Sequence, residues 1–314
     1  MIATYQHGIY PRSEALVAAT RDLERGRCTP DTALQVAMDD ADDFVAAQQE
    51  AGFDYFSDGL LAWQDVFRPF VDASPGLVAG GLVRWFDNNA FFRAPQVTAP
   101  PACDVPGVFT HDGRAPRPRV ATLPSPYMFS RATDTRGSRR GLMLELAQSV
   151  LRPTAEELAR RGYELVHLEE PWLVYFGIDD DEWPMFEKVL ATISDGLGAK
   201  VVLHTYFGDA GPYVDRLRAM PVHAVGVDLV ETDVEALGSG WDVGLAAGCI
   251  DGRSSLLEDA DSAVALARRV RDATDAPVFY VTSNSALELL PRDVARRKVL
   301  RLGEIGRKLK ESAP

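Results

Sequence analysis

The sequence predicts an α/β protein, a single (β/α)8 TIM barrel over residues 1–314. From about residue 119 onward, short apolar runs rich in β-branched and aromatic residues alternate regularly with helical patterns. The runs are almost continuously apolar, as expected for strands that are buried on both faces of a parallel sheet. With two further runs near the start of the chain, eight strands form a strand–helix series, which indicates a parallel barrel.

Each predicted strand is a short apolar run, and each predicted helix has amphipathic spacing or a capping signal. The strands cover residues 2–5, 54–58, 119–124, 165–169, 200–205, 224–230, 243–250 and 278–282. The helices cover residues 29–51, 141–162, 181–197, 213–219, 233–237, 259–273 and 292–311. Thr29 before Pro30 is a usual cap and first-turn pair, and Asp259 and Asp293 suit the positive end of a helix dipole.

Residues 73–118 depart from this alternation. They are rich in Pro and Gly and contain the aromatic string RWFDNNAFFRAP at residues 84–95. We therefore expect an irregular excursion after the second strand, a lid or hairpin over one end of the barrel, and no second domain.

The composition of the chain limits its possible partners and its cellular location. The net charge of -13 and the pI of about 4.9 argue against nucleic acid or an anionic membrane as partner, because both need a basic face. The cysteines Cys28, Cys103 and Cys249 form no disulfide framework. No signal peptide and no apolar run of about 20 residues is evident. A cytoplasmic protein with small-molecule substrates is expected.

Polar residues that end the apolar runs are the candidates for chemistry, because the site of a (β/α)8 barrel lies at the C-terminal ends of its strands. The candidate catalytic carboxylates are Glu169, Asp228 and Asp251. Glu169 and Glu170 are adjacent on one strand and point to opposite sides, so only one of them faces the barrel axis. That carboxylate either binds an amine or a pterin ring, or is a solvated loop start.

Candidate substrate-binding residues lie on loops after the strands and in the excursion. Arg253 follows an Asp-Gly pair and can grip a carboxylate with two hydrogen bonds, although this triplet also forms ordinary tight turns. The aromatic string of the excursion either stacks on a flat ring or forms the lid's own small core. The predicted substrate-binding set is Trp85, Asp87, Asn88, Arg253, Ser283 and Ser285.

A metal site is predicted from three consecutive strand ends. His204, Glu231 and Cys249 offer an imidazole, a carboxylate and a thiolate, which are donors that zinc favours. Three protein ligands would leave one position open for substrate, as catalytic zinc requires. The structural alternative is that Cys249 is a small buried hydrophobe and His204 an ordinary barrel residue.

Several strings occur together in an order that resembles the N-terminal barrel of cobalamin-independent methionine synthase. They are RWFDNNAFFRAP (84–95), HTYFGD (204–209), MPVHAVGVDLV (220–230), AAGCIDGRSS (246–255) and VTSNSALELLP (281–291). HLEEPWL (167–173) resembles a segment found in both barrels of that family.

The resemblance implies a barrel fold and a role in methyl transfer. In the family, a C-terminal barrel holds zinc through His, Cys, Glu and Cys and moves a methyl group from 5-methyltetrahydrofolate to homocysteine. The N-terminal barrel lacks the zinc site and helps to form the folate site. The resemblance therefore implies zinc and 5-methyltetrahydrofolate as cofactors of the present chain.

This chain departs from the family pattern at the metal ligands. His204 and Glu231 are present as in the catalytic barrel, whereas Tyr206 and Ser285 stand where its two cysteines would be. Leu60 falls near the place of the acid that holds the homocysteine amine. Cys249 is the expected substitute thiolate, and the acceptor need not be homocysteine.

Three functions are consistent with the sequence. The first is a methyltransferase that uses 5-methyltetrahydrofolate, or a related carrier, and a small nucleophilic acceptor. The second is a non-catalytic folate-binding subunit that works with a separate zinc-bearing methionine synthase barrel. The third is a barrel with non-methyl chemistry, such as a decarboxylase or lyase, since a fold does not fix a function.

Overall fold

A computed structural model describes residues 1–105 and 115–311. Its strands are β1 (Ile2–Thr4), β2 (Leu77–Arg84), β3 (Phe91–Val97), β4 (Arg119–Pro124), β5 (Tyr163–Glu169), β6 (Lys200–His204), β7 (Ala224–Asp228), β8 (Gly244–Ile250) and β9 (Phe279–Ser283). Seven of them form one parallel sheet in the order β1-β9-β8-β7-β6-β5-β4. The sheet curls into part of a barrel, so the predicted parallel α/β architecture is confirmed.

The predicted strand at residues 54–58 is wrong in extent. Only Phe56 forms a β-bridge, with Arg119 beside it. On the other side, the amides of Asp54 and Tyr55 donate to the Thr4 carbonyl oxygen. The Asp54 carboxylate accepts the Thr4 amide at 2.7 Å, so a side chain takes the place of a carbonyl in the ladder and regular strand pairing stops. This segment lies between the two edge strands of the sheet.

The helices lie around the sheet. They are α1 (Glu14–Glu24), α2 (Pro30–Ala51), α3 (Arg68–Asp72), α4 (Pro126–Ala132), α5 (Arg139–Leu146), α6 (Arg152–Arg160), α7 (Trp172–Phe176), α8 (Trp183–Ser194), α9 (Val214–Leu217), α10 (Val234–Leu237), α11 (Ala260–Thr274) and α12 (Arg292–Glu311). The predicted caps at Thr29 and Asp259 each accept a backbone amide of the first turn. Helix α1, which Ser13 caps, was not predicted.

The predicted helix at 141–162 contains a π-helical turn, Ala147–Leu151, between α5 and α6. Pro153 follows this turn and has no backbone N–H to donate. The wider turn admits the proline ring without ending the helix. The predicted helix at 213–219 is shorter than expected and is preceded by a 3₁₀ turn, Gly211–Tyr213.

Within the expected excursion, β2 and β3 pair antiparallel as a two-stranded hairpin. Its ends are fixed to the rest of the fold, for example by the Asp134 amide, which donates to the Pro95 carbonyl oxygen at 2.7 Å. Residues 106–114 of the excursion lie outside the described residues.

The core has two parts. A larger apolar cluster fills the space between the sheet and the helices. A smaller cluster contains Tyr5, Tyr55 and Tyr280 together with residues from the amino-terminal halves of the strands. Buried polar side chains, among them His167, His204 and Asp228, lie in the carboxyl-terminal halves of the strands. None of the helices in the described ranges has the length and apolar composition that a membrane span needs.

Candidate functional site at the carboxyl edge of the sheet

Polar side chains end several neighbouring strands. Glu169 ends β5 and is paired in register with His204, which ends β6. Asp228 ends β7 opposite Gly248 of β8, and Ser283 ends β9. Parallel pairing therefore brings residues that are far apart in sequence to one edge of the sheet, as predicted from barrel logic.

Three buried histidines meet at this edge, and we call them the histidine cluster: His7, His167 and His204. The His7 ring stacks on His167 with 3.9 Å between ring centroids, and His204 lies 4.8 and 5.0 Å from the two. Their potential ligand atoms all lie within 4.8 Å of one another. Gly226 makes room for the cluster, because a Cβ there would be 2.4 Å from the His204 ring.

The hydrogen bonds of the cluster leave several ring nitrogens unused. His7 Nδ1 lies 3.3 Å from Glu169 Oε1, and its Nε2 lies 3.2 Å from the Ser283 carbonyl oxygen. His167 Nδ1 lies 3.0 Å from the Tyr5 hydroxyl. In the described part of the chain, His167 Nε2 and both nitrogens of His204 have no partner of regular hydrogen-bond geometry.

Burial determines the protonation of the cluster. It lowers the pKa of His167 well below its usual value, and the neighbouring His7 and His204 lower it further. Burial and then His7 likewise lower the pKa of His204, while a contact with the Asn284 backbone acts in the opposite direction. Both imidazoles are therefore neutral near pH 7, the form that binds metal ions.

A narrow cleft opens beside the histidine cluster. Its wall combines carboxylates and aromatic rings with a few aliphatic groups. The lining residues are Ile9, Gln64, Asp65, Val66, Trp85, Ala90, Phe91, Phe92, Glu169, Tyr206, Phe207, Ala286, Glu288 and Leu289. Glu169 belongs to both features, since it lines the cleft and contacts His7.

Two carboxyl groups of the cleft, those of Glu288 and Asp65, have a raised pKa. Burial, and then the charge of Glu169, raises the pKa of Glu288 to about 7, while Arg12 opposes this shift. The Glu288 side chain remains partly exposed. Burial also raises the pKa of Asp65 despite three backbone hydrogen bonds. Tyr206 has a pKa raised by burial and by Glu169, which is also its hydrogen-bond partner. The cleft is thus acidic and contains one carboxyl group that titrates near neutrality.

The tip of the hairpin contacts the loops at this edge. Phe86 packs on an aromatic group that includes Trp172, Phe176 and Phe207. Arg253 lies over the Phe207 ring at 4.9 Å and pairs with Glu231 at 2.5 Å. Its guanidinium is also 3.7 Å from Asp87 of the hairpin. Arg253 therefore joins the hairpin tip to two loops of the sheet.

The candidate Asp228 and the neighbouring carboxylate Glu170 have structural partners. Asp228 accepts hydrogen bonds from the amides of Phe207 and Val230 and from the side chain of Asn284. Glu170 accepts the Ser125 hydroxyl and the amides that begin α4 and α7. Burial nevertheless raises the pKa of Glu170 to about 7. Both side chains hold loops in place and neither lines the cleft.

The remaining predicted loop residues, Asp251, Ser283 and Ser285, do not line the cleft and hydrogen-bond neighbouring segments. Asp251 accepts the Arg253 amide at 2.8 Å and forms the tight turn. Ser283 accepts from Gln6 and donates to the Ser285 carbonyl oxygen, each at 2.6 Å. The Ser285 hydroxyl lies 3.2 Å from the Asn284 side-chain oxygen.

The hairpin residues differ in their surroundings. Trp85 is buried against Phe67 and Phe92 and also lines the cleft. Asp87 is exposed, and within the described residues the side-chain nitrogen of Asn88 is buried without a hydrogen-bond partner.

The three predicted metal ligands have different surroundings. His204 lies in the histidine cluster, whereas Glu231 pairs with Arg253. Cys249 is buried, its sulfur lies 3.8 Å from the Thr282 carbonyl oxygen, and burial raises its pKa to about 12. Among the described residues, the His, Cys, Asp and Glu side chains that converge as three potential ligands are those of the histidine cluster.

Sequence reasoning missed His7, His167 and Glu288. His7 lies two residues after the predicted strand at 2–5, so the rule that selected His204 also selects it. His167 lies inside an apolar run, where alternation along the strand places it and Glu169 on the same face. Glu288 lies in a loop and gives no sequence signal of its raised pKa.

Comparison with known proteins identifies the family. Residues 75–275 match the sequence model of the N-terminal domain of the cobalamin-independent synthase. The chain belongs to the cobalamin-independent methionine synthase family. The family predicted from the sequence strings is thus confirmed.

Relatives cover the chain to different extents. A methionine synthase from Sulfolobus acidocaldarius is 24% identical over 306 residues, which is 94% of this chain and 88% of the relative. A 5-methyltetrahydropteroyltriglutamate–homocysteine methyltransferase from Burkholderia pseudomallei is 30% identical over 68% of this chain, but this chain spans only 29% of that protein. These relatives bear methyltransferase names, and the predicted enzyme class is confirmed at this family level.

A solved structure shows the same fold. It is a B12-independent methionine synthase from Shewanella in complex with selenomethionine, with a TM-score of 0.74, 19% identity and coverage of 91% of both chains.

Proposed function

We propose that the protein is a methyltransferase of the methionine-synthase type, which moves a methyl group from 5-methyltetrahydrofolate or a related carrier to a small nucleophile. One observation supports this most strongly: the cleft combines the carboxyl groups of Glu169 and Glu288 with an aromatic wall. Asp228, Asp251, Ser283 and Ser285 support the loops around the cleft.

The wall of the cleft suits a flat, nitrogen-rich ring. The Trp85 and Phe92 side chains offer apolar surface, and aromatic faces stack on planar heterocycles. A reduced pterin carries several N–H donors, and Glu169 is an acceptor that two neighbours, His7 and Tyr206, hold in place. Such a charge-assisted hydrogen bond is about twice as strong as a neutral one.

Methyl transfer from a tertiary amine requires a proton. The C–N bond to N5 of the carrier breaks as the acceptor's lone pair forms the new bond to carbon. The N5 atom leaves as a neutral amine only if it has first been protonated. Glu288 has a pKa raised to about 7 and lines the cleft, so it is suited to donate this proton.

The acceptor is a small nucleophile such as a thiol or an amine. A zinc ion, where bound, would lower the pKa of such an acceptor. The ligand set that the family resemblance implies is incomplete here, because Tyr206 and Ser285 stand in place of the two cysteines. Arg253, if released from Glu231, offers a guanidinium for a carboxylate of either substrate.

The architecture around the cleft belongs to the same proposal. The β2–β3 hairpin acts as a lid, anchored by Phe86 and by the Asp87–Arg253 pair. Residues 54–56 take the place of an eighth strand and complete the barrel. A covered barrel end would exclude water from the reacting groups.

The direct test is transfer of a radiolabelled methyl group from 5-methyltetrahydrofolate to a panel of thiols and amines, homocysteine included. We expect turnover with at least one acceptor by the purified protein alone. Saturable binding of the folate without turnover on any acceptor would contradict the enzymatic role.

That result would favour the second candidate, a folate-binding subunit that works with a separate zinc-bearing barrel. The match to the family's N-terminal domain, the domain without zinc ligands, supports this candidate. It predicts activity only after a methionine synthase catalytic barrel is added. An absence of folate binding as well would point to non-methyl chemistry.

Replacing Glu169 with Gln is expected to weaken substrate binding. The change keeps the shape of the side chain but removes the charge, so we expect a loss in kcat/KM of about 10- to 100-fold, mainly through KM. Steady-state kinetics with both substrates measure this. Glu164→Gln is the matched control, because Glu164 is exposed on the same strand β5. Equal kcat/KM for the two variants would show that the Glu169 charge does not contribute to substrate binding.

A further inference from the structure

The histidine cluster has capacity that the proposed methyl transfer does not use. All three rings are fully buried; His167 and His204 lie on β5 and β6, and His7 lies three residues after the end of β1. Among the described residues, His167 Nε2 has no hydrogen-bond partner, and the His204 ring has a contact with the Asn284 backbone but no hydrogen bond of regular geometry. A buried nitrogen without a partner costs about 1–3 kcal/mol. A bound cation would satisfy His167 Nε2 and one of the two His204 nitrogens.

The outer contacts of the cluster are those that orient metal-binding imidazoles. Metal-bound histidines usually direct their second nitrogen to a carboxylate or another oxygen. His167 Nδ1 contacts the Tyr5 hydroxyl, which leaves Nε2 directed elsewhere. His7 Nδ1 contacts Glu169, and its Nε2 makes only a 3.2 Å contact with the Ser283 carbonyl oxygen. Ligation through His7 Nε2 would replace that long contact.

The spacing is close to what a small ion needs. The candidate nitrogens lie within 4.8 Å of one another. Zinc–nitrogen bonds of about 2.0–2.1 Å place tetrahedral ligand atoms roughly 3.4 Å apart. Ring rotations that move the nitrogens by about 1 Å would therefore close the site around an ion.

We propose that His7, His167 and His204 form a three-imidazole site for a divalent transition-metal ion of the zinc type, built without a thiolate. This ligand set differs from the His204, Glu231 and Cys249 set predicted from the sequence. Glu169 connects this site with the cleft, because it contacts His7 and lines the cleft. The site does not depend on the methyl-transfer proposal, since metal binding is measured without substrates.

The test loads the chelator-treated full chain with Co²⁺, a coloured substitute for Zn²⁺, and follows binding by dialysis and absorption. We expect one ion per chain, visible d–d bands, and no thiolate-to-cobalt charge-transfer band in the near ultraviolet. Zn²⁺ is expected to displace the Co²⁺. Failure to retain either ion at micromolar concentration would overturn the proposal.

Variants identify the ligands. His167→Gln and His204→Gln are each expected to weaken Co²⁺ binding by about 100-fold or more, beyond the usual effect of an outer partner, and Tyr5→Phe by about tenfold. The matched controls Cys249→Ser and His223→Gln should bind as the wild type does, since His223 lies outside the cluster and pairs with the Val201 amide. A charge-transfer band that disappears in Cys249→Ser would overturn the three-imidazole set. The wild-type spectrum alone shows whether a thiolate binds the Co²⁺ ion, even where a variant does not fold.

Discussion

Replacing Glu288 with Gln is expected to lower kcat by about 100-fold or more, the usual contribution of a general acid. The amide keeps the shape of the side chain but holds no proton to transfer. In the wild type the pKa of Glu288 is raised to about 7, so methyl transfer should fall as pH rises through 7 and the acid is lost. The variant should lack this fall. Pre-steady-state methyl transfer measured at several pH values separates the chemical step from product release.

The stability of the Glu288→Gln variant shows whether a loss of activity comes from the missing acid or from a damaged fold. The pKa of Glu288 rises from 4.5 in the unfolded chain to about 7 in the folded one, so the folded state binds the proton more tightly. Ionisation of this group therefore costs stability as pH rises from about 4.5 to about 7, and Gln removes that cost. The variant should be at least as stable as the wild type at pH 8. Activity within about threefold of wild type, with an unchanged pH profile, would assign the proton to another group.

Periodicity predicted the sheet because its strands are buried on both faces. β4 to β9 are nearly continuous apolar runs, and such runs are visible in sequence. Residues 54–58 contain Tyr and Phe, which favour strands, but Asp54 hydrogen-bonds the Thr4 amide with its side chain, and the regular ladder ends. Strand propensity does not show whether a backbone amide will donate to a neighbouring carbonyl oxygen or to a nearby side-chain carboxylate.

The site was only partly predictable because it depends on contacts between distant segments. Strand ends correctly indicated that Glu169 and His204 lie at one edge. His7 and His167 are 160 residues apart in the chain, and only the sheet order brings their rings to 3.9 Å. Cys249 shows the reverse case: the residue type suits a metal, but the side chain is buried beside a carbonyl group.

Gly226 leaves the space that the His204 ring of the histidine cluster occupies. It is paired in register with His204, and a Cβ there would lie 2.4 Å from the Cγ and Nδ1 atoms of that ring. These atoms are near the base of the side chain, so the ring cannot swing aside without leaving its position. Gly226→Ala is therefore expected to cost about 3 kcal/mol of unfolding free energy, as in overpacked cores.

Urea denaturation measures this cost as a lower midpoint with an unchanged slope. Gly81→Ala is the matched control, because Gly81 is exposed on β2 and a Cβ there meets nothing within 4 Å. Its unfolding free energy should change by less than about 1 kcal/mol. The same substitution at Gly226 should displace the His204 ring and weaken Co²⁺ binding, whereas Gly81→Ala should not. A stable Gly226→Ala protein with wild-type metal affinity would mean that the His204 ring does not occupy the position on which the three-imidazole site depends.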